Sequence, residues 1–150
     1  MIRTIATLLS VAAMAAPAFA ESHSTGDVAA GEKAFSKCAT CHVVKDDDGE
    51  VLAGKSAKTG PNLFGIVGRQ AGTVDGFRYG KSIVAAGEAG LIWDLENLAD
   101  YSQDPKKFLR EFLDDKKARS KMTFKVREEE DAVNLAAFLE SLGPEAAATN

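Results

Sequence analysis

The side chains best suited to chemistry are two cysteines and a histidine within five consecutive residues, Cys38-Ala39-Thr40-Cys41-His42. Two thiols three positions apart, at the end of a helical turn, can each add across one vinyl group of the same porphyrin. The adjacent imidazole of His42 is then held over the iron on one face of the ring. Cys-x-x-Cys-His is the attachment signature of a c-type haem. The sequence therefore predicts one covalently attached haem, with His42 as an iron ligand.

The same cysteine spacing also occurs in zinc ribbons and in thioredoxin-like redox sites. A structural zinc site needs four protein ligands. The chain offers only Cys38, Cys41, His42 and His23, and the neighbours Cys41 and His42 cannot easily chelate one ion. A dithiol redox site belongs in a βαβ context, and no strand-rich segment surrounds position 38. Covalent haem is the favoured interpretation, and zinc and dithiol chemistry are the alternatives.

The first twenty residues are typical of an export signal. Arg3 supplies a charged start, residues 5–16 form an apolar stretch, and Ala18-Phe19-Ala20 is a small-x-small cleavage site. An uncleaved membrane anchor is the alternative, but the stretch is short for a bilayer and rich in alanine. We expect cleavage after Ala20 and a soluble periplasmic protein, on the side of the membrane where c-type haem is attached.

Residues 21–150 then suit a single domain, whose ordered part we expect over about 27–142. Cleavage changes the formal net charge only from −4 to −5, because Arg3 is the sole charged residue removed. This modest acidity favours solubility and does not indicate nucleic-acid binding. No other segment is apolar over a length that would cross a bilayer. We expect a monomer without stable membrane insertion.

Helical patterns alternate with long irregular segments, which predicts an all-α fold of few helices and large loops. Asp27 and Asp104 are suitable N-caps, and Pro105 fits a first helical position. Glycines interrupt the whole of 43–79, and so long a loop in a compact domain suggests that it wraps a ligand. The predicted helical segments are 27–38, 94–101, 104–113 and 128–142.

A second iron ligand can be sought by elimination. With residues 1–20 removed, Met122 is the only methionine, and His23 is the only histidine besides His42. His23 lies in a tail of small polar residues, whereas Met122 lies between two predicted helices. Lysine is a possible but uncommon ligand. We favour Met122 as the second ligand, with ordinary core filling as its alternative role.

Further motifs follow the haem signature in a fixed order. They are Thr59-Gly60-Pro61-Asn62-Leu63, Gly68-Arg69, Gly76-Phe77-Arg78-Tyr79, Trp93, Tyr101, Asp104-Pro105-Lys106-Lys107 and Lys121-Met122. In these motifs, over residues 27–142, the chain resembles class I c-type cytochromes, most closely the bacterial cytochrome c2 and c-550 group. The resemblance implies the class I cytochrome c fold around one covalent haem c, with His/Met-ligated iron.

Two features depart from the family pattern. The segment 117–120, Lys-Ala-Arg-Ser, stands where the family has Pro-Gly before the methionine loop. Extra residues also lie between His42 and Pro61 and between Phe108 and Met122. Both insertions are typical of the larger bacterial members, and they affect the loop path rather than the ligands.

The resemblance also implies roles for residues around the haem. The carbonyl of Pro61 would accept a hydrogen bond from Nδ1 of His42 and leave Nε2 for iron; a simple turn proline is the alternative. Tyr101 resembles the tyrosine that hydrogen-bonds near the methionine sulfur. The propionate carboxylates would be bound by N–H and O–H donors. This propionate-binding set is Arg69, Tyr79, Trp93 and Ser120, with apolar filling as the alternative for Trp93 and Tyr79.

Nine of the 18 basic residues lie between Lys106 and Arg127, in a chain that is acidic overall. In the family, a ring of lysines surrounds the exposed haem edge and meets acidic patches on redox partners. An ordinary solvated face is the alternative. The implied docking lysines are Lys33, Lys37, Lys45, Lys106, Lys107, Lys121 and Lys125.

The resemblance implies an electron-transfer protein rather than an enzyme. It would carry electrons from a quinol-oxidising bc1-type complex to an oxidase, a photosynthetic reaction centre or a denitrification reductase. A haem peroxidase would need an open coordination position and a distal acid–base group, usually histidine, and His23 is badly placed to supply it. Gas-binding helical-bundle cytochromes carry their haem motif near the C-terminus, unlike this chain.

Overall fold

A computed structural model describes residues 26–144, which contain five α-helices and one two-stranded sheet. The predicted signal segment 1–20 and His23 lie outside these residues. Within 26–144, no helix combines the length and apolar character needed to span a membrane. The elements are α1 Val28–Cys38, β1 Val44–Lys45, β2 Val51–Ala53, α2 Lys81–Glu88, α3 Leu95–Gln103, α4 Pro105–Phe112 and α5 Glu129–Ser141.

Three of the helices begin at an aspartate whose side chain satisfies a free backbone N–H of the first turn. Asp27 accepts from the amide of Ala30 before α1. Asp94 forms a reciprocal capping box with Asn97 before α3. Asp104 caps α4, whose first residue is proline. The four predicted helices are confirmed, with ends that differ by a few residues at most from the sequence-based ranges.

The first and last helices cross where a glycine permits close approach. A Cβ at Gly31 would lie 2.0 Å from the backbone oxygen of Asn134, so only glycine fits there. The rings of Phe35 and Phe138 pack beside this crossing with centroids 5.6 Å apart. The Asn134 side chain, buried at the interface, accepts a 2.7 Å hydrogen bond from the backbone amide of Asp27. Because α5 also packs on α3, it is buried along most of its length.

Helix α2 was not predicted from the sequence. Its last turn contains Gly87, a residue type with low helix propensity. The structure shows why this residue is tolerated, because a Cβ there would lie 2.0 Å from the backbone oxygen of Ala71. Contacts of α2 with α4 and with this loop therefore outweigh its weak propensity. Apolar spacing at Ile83, Ala86 and Gly87 was the available signal.

The insertion after His42 folds as a hairpin of β1 and β2. Asn62 fastens its base, because its Oδ1 accepts from the amide of Lys45 at 2.9 Å and its Nδ2 donates to the Lys45 carbonyl at 2.6 Å. Between the end of β2 at Ala53 and the start of α2 at Lys81 there is no named helix or strand, in agreement with the predicted loop region. Because Asn62 directly follows Pro61, the hairpin is anchored beside the residue that contacts His42.

Candidate haem site

One cavity of about 930 Å³ lies between α1, α3, α5 and the irregular segments. Its size and largely apolar wall fit a large planar apolar group that carries a few polar substituents. Phe35, Leu98 and Leu135 contribute to the apolar wall. Nine of the ten predicted site residues line this cavity, namely Cys38, Cys41, His42, Pro61, Tyr79, Trp93, Tyr101, Ser120 and Met122.

The haem motif sits where α1 ends. Cys38 is the last helical residue, and its carbonyl accepts from the amides of both Cys41 and His42 at 2.9 Å, which winds the motif into a tight turn. Neither cysteine is in a disulfide. Burial, followed by the charge of Cys41, raises the pKa of the Cys38 thiol to about 11. Reactive dithiols have a lowered thiol pKa, so this environment is unlike that of a dithiol redox site.

The ligand geometry of the described residues also disfavours zinc. Nowhere between residues 26 and 144 do three or more histidine, cysteine, aspartate or glutamate side chains form a group that could hold a metal ion. A structural zinc site needs four such ligands. The motif therefore suits covalent attachment of a porphyrin better than ion chelation.

The imidazole of His42 is oriented by its neighbours. Its Nδ1 lies 3.0 Å from the carbonyl oxygen of Pro61, and because a carbonyl only accepts, Nδ1 carries the proton. Burial lowers the pKa of His42, and the hydrogen bond to Pro61 partly opposes this shift. The neutral ring thus keeps Nε2 unprotonated and available to a metal. The backbone of Gly60 lies directly against the imidazole ring, because a Cβ added at Gly60 would lie 2.4 Å from Cε1 of His42.

Met122 is half-buried in a segment held by hydroxyl groups. Its backbone amide donates to Oγ of Ser120 at 3.1 Å, and that oxygen lies 3.2 Å from the hydroxyl of Tyr101. The Tyr101 hydroxyl thus pairs with Ser120 in this structure. Burial raises the pKa of Tyr101, so the hydroxyl stays protonated. The Tyr101 ring packs edge-on against Trp93, with centroids 5.0 Å apart.

Arg69 is the predicted site residue that does not line the cavity. Its Nη2 donates to the carbonyl of Phe64 at 2.6 Å, within its own loop. Arg69 nevertheless remains close to Tyr79. Burial raises the pKa of Tyr79, and a hydrogen bond to the backbone of Val74 and the charge of Arg69 oppose this rise. Arg78 was not predicted as a site residue, but it lines the cavity, and its carbonyl accepts a hydrogen bond from Lys121.

No family model matches the chain. The chain is 53% identical over 142 residues to cytochrome c-551 from Roseobacter denitrificans, covering 95% of this chain and 96% of that protein. It is 57% identical over 119 residues to cytochrome c2 from Rhodovulum adriaticum, covering 79% of this chain and 94% of that protein. The solved structure of cytochrome c2 from Rhodobacter sphaeroides matches with a TM-score of 0.77 at 53% identity, over 78% of this chain and 96% of that one.

A helical fold wrapped around this cavity is the architecture of the class I c-type cytochromes. The chain is more than 50% identical in sequence to the two relatives over most of its own length and of theirs. It therefore belongs to the cytochrome c2 and c-550 group of that family. The predicted family, fold class and cofactor are confirmed. The protein carries one covalently attached haem c and works in electron transport, not as an enzyme.

Proposed function

We propose that the protein is a soluble periplasmic carrier that moves one electron at a time from a quinol-oxidising bc1-type complex to a terminal acceptor. The acceptor is an oxidase, a photosynthetic reaction centre or a denitrification reductase. In this proposal residues 1–20 are a cleaved signal and residues 21–150 are the mature single-domain protein. Membership of the cytochrome c2 and c-550 group supports the carrier role.

The observation that carries the proposal is the joint lining of one cavity by Cys38, Cys41, His42 and Met122. The two cysteines would hold the porphyrin through thioether bonds, and His42 and Met122 would bind the iron from its two faces. Bound haem c supplies one-electron chemistry between ferrous and ferric iron. If two side chains of the protein hold the iron in this way, no coordination position would remain for a substrate, which favours a carrier.

The surrounding residues would set the potential and orientation of the group. The bond to the Pro61 carbonyl fixes the tautomer of His42, so that Nε2 would be free to bind the metal. The thioether of Met122 favours the ferrous state relative to a second imidazole. The apolar wall acts in the same direction, because burial penalises the extra positive charge of ferric iron. Tyr79, Trp93 and Ser120 line the cavity as candidate propionate partners, and Arg69 would act only through Tyr79 or after a rearrangement.

The docking surface would surround the opening of the cavity. Lys37 and Lys121 line the cavity itself. Lys107 and Lys125 line an adjoining groove of about 690 Å³, which shares Phe124 with the cavity wall. Lys125 is also paired with the carboxylate of Asp104, with a nitrogen–oxygen distance of 2.5 Å. The other proposed docking lysines, all exposed, are Lys33, Lys45 and Lys106.

The test uses the purified holoprotein with complexes from its own organism. Oxidised protein is mixed with quinol and the bc1-type complex, and reduced protein is mixed with each terminal complex in turn, while haem absorbance is followed. We expect rapid reduction by the first and rapid oxidation by at least one of the second. Reduction by dithionite but not by the bc1-type complex would reject the proposed donor. Rapid turnover of peroxide by the protein alone would favour an enzyme instead.

A further inference from the structure

The side chain of Asn62 makes three hydrogen bonds to the backbone. Its Oδ1 accepts from the amides of Lys45 at 2.9 Å and Phe64 at 3.2 Å, and its Nδ2 donates to the Lys45 carbonyl at 2.6 Å. One backbone bond joins the same two segments, from the Leu63 amide to the Val43 carbonyl at 2.9 Å. Because one side chain binds both the N–H and the carbonyl of Lys45, it fixes the loop relative to the hairpin in two directions.

The Pro61 carbonyl belongs to the same peptide group as the Asn62 nitrogen, so a movement of Asn62 also moves this carbonyl. Proline has no N–H with which to hold itself in place. The preceding residue is held on the other side, where the Gly60 amide donates to the Cys41 carbonyl at 2.7 Å. The 3.0 Å contact between this carbonyl and Nδ1 of His42 therefore depends on anchors on both sides of the proline.

The hairpin base to which Asn62 is bonded is itself fixed on the core. Strands β1 and β2 pair with each other, and Val44, next to Lys45, has no exposed surface. Gly54, directly after β2, lies against the backbone of the haem motif, since an added Cβ would lie 2.9 Å from the carbonyl oxygen of His42. The hairpin base thus gives the Asn62 side chain a firm attachment point beside the proposed iron ligand.

We propose that Asn62 is a positioning residue, whose bonds to Lys45 hold the Pro61 carbonyl on Nδ1 of His42 and thereby help to set the redox potential of the bound haem iron. This inference rests on the proposed role of His42 as an iron ligand. An acceptor on the far ring nitrogen raises the basicity of the metal-binding nitrogen, which favours ferric iron. Release of the carbonyl would therefore favour the ferrous state and raise the potential.

The first test is a redox titration of the purified holoprotein, followed by haem absorbance. Asn62→Leu keeps a side chain of similar size and the same net charge but removes all three hydrogen bonds. A typical net hydrogen-bond contribution corresponds to about a fivefold change in an equilibrium constant. We expect the reduction equilibrium constant to rise about fivefold, which is about 40 mV at about 59 mV per tenfold change for one electron.

Gln70→Leu is the matched control. It removes another side-chain amide that fastens a loop, through the bond of its Nε2 to the Gly87 carbonyl at 3.0 Å, at an exposed position that does not line the cavity. This variant should lower the denaturation midpoint and leave the potential unchanged. An unchanged potential in Asn62→Leu, or an equal shift in Gln70→Leu, would overturn the inference.

Hydrogen exchange in the reduced wild-type holoprotein, followed by NMR, decides the matter if Asn62→Leu does not fold. The Lys45 amide proton is bonded to Asn62, and the ring proton on Nδ1 of His42 is bonded to the Pro61 carbonyl. If Asn62 couples them, both protons exchange through one opening, and their opening free energies fall in parallel as denaturant is added below the unfolding transition. Exchange of the ring proton only by global unfolding, while the Lys45 amide opens locally, would reject the coupling.

The ligand assignment is checked separately in the oxidised protein. Ring signals of His42 that are strongly shifted by the paramagnetic iron, together with an unchanged potential in Asn62→Leu, would reject the role of Asn62 and leave the proposed ligation intact. Ring signals without such a shift would reject the ligation, and with it this inference.

Discussion

Nδ1 of His42 and the carbonyl oxygen of Pro61 lie 3.0 Å apart, so the imidazole is held from the side opposite its metal-binding nitrogen. Pro61 is in turn placed by its neighbours: Gly60 packs flat on the ring, and Asn62 is bonded to the backbone of Lys45. Three consecutive residues therefore connect the orientation of the proposed iron ligand to the base of the hairpin.

Replacement of Met122 by alanine should leave the haem attached and open the sixth position. We expect loss of the iron–sulfur charge-transfer band, new binding of cyanide or carbon monoxide, and a potential lowered by on the order of 0.1 V, within the ~0.8 V range that axial ligands cover. Absorption spectroscopy and redox titration measure these effects, with Lys117→Ala, which lies in the same segment but outside the cavity, as the control. An unchanged spectrum would mean that Met122 is not the iron ligand, and that a lysine or His23 takes the sixth position instead.

Replacement of both Cys38 and Cys41 by alanine should abolish covalent attachment and cooperative folding. The polypeptide core lines a cavity of about 930 Å³, and without the attached group this apolar wall lacks packing partners. Haem retention after acid–acetone extraction and thermal unfolding followed by circular dichroism measure the two effects. A helical, haem-free protein with an unchanged unfolding midpoint would contradict the prediction.

Gly60→Ala should destabilise the protein and disturb the haem ligand. The added Cβ would meet the His42 ring at 2.4 Å, so either the ring or the loop must move. We expect a loss of about 2 kcal/mol in the free energy of unfolding, as for an overpacked site, together with a shifted potential. Denaturant unfolding and redox titration test this. Ser56→Ala, at an exposed position of the same loop that does not line the cavity, should change neither.

Electron transfer to the physiological partner should slow as ionic strength rises, by about tenfold from low to high salt, if the docking lysines steer the encounter. Lys37→Glu and Lys107→Glu should lower the association rate with little effect on the potential. Lys116→Glu makes the same change in net charge at an exposed position outside both cavities and the docking set. Equal slowing by this control, or rates independent of salt, would mean that no specific lysine surface exists.

The pair of Asp104 and Lys125 should contribute stability that depends on pH. The hydrogen bond from Lys125 is the largest cause that holds the pKa of Asp104 below its ordinary value. Because the folded-state pKa is the lower one, the contribution is present above the unfolded pKa and is lost as pH falls through the folded pKa. The pair is largely exposed, so we expect less than about 1 kcal/mol.

Asp104→Asn is the variant for this measurement, because asparagine can still cap α4. Denaturant midpoints should differ from wild type at neutral pH and converge in acid. A constant difference across the whole pH range would show that the charge pair is not the cause.

The sequence predicted those parts of the structure whose signals are local. Asp27 and Asp104 mark helix starts because a side-chain acceptor acts within its own turn. The Cys-x-x-Cys-His motif and the scarcity of methionine and histidine identified the candidate ligands. The joint lining of one cavity by Cys38 and Met122 required the fold, which the family resemblance supplied and spacing alone did not.

The unpredicted features depend on contacts between distant segments. Helix α2 has only a short apolar pattern of its own, and the close packing of Gly87 against Ala71 is a contact between segments that this pattern does not specify. Arg69 was expected at the haem, but its guanidinium is bonded to the carbonyl of Phe64. The bond of Lys121 to Arg78 joins two loops across 43 positions, so a lysine that the sequence assigns to docking is also an internal contact.

The crossing of α1 and α5 at Gly31 has a consequence for local unfolding. It joins elements separated by 107 residues through the bond between Asp27 and Asn134, and it contains much of the buried apolar surface. The Met122 segment is held instead by individual hydrogen bonds to neighbouring elements, of backbone as well as side-chain groups. In native-state hydrogen exchange, amides of the two crossing helices should exchange only through global unfolding. Amides near Met122 should exchange through smaller openings, so the proposed iron ligand can detach while the helix pair stays folded.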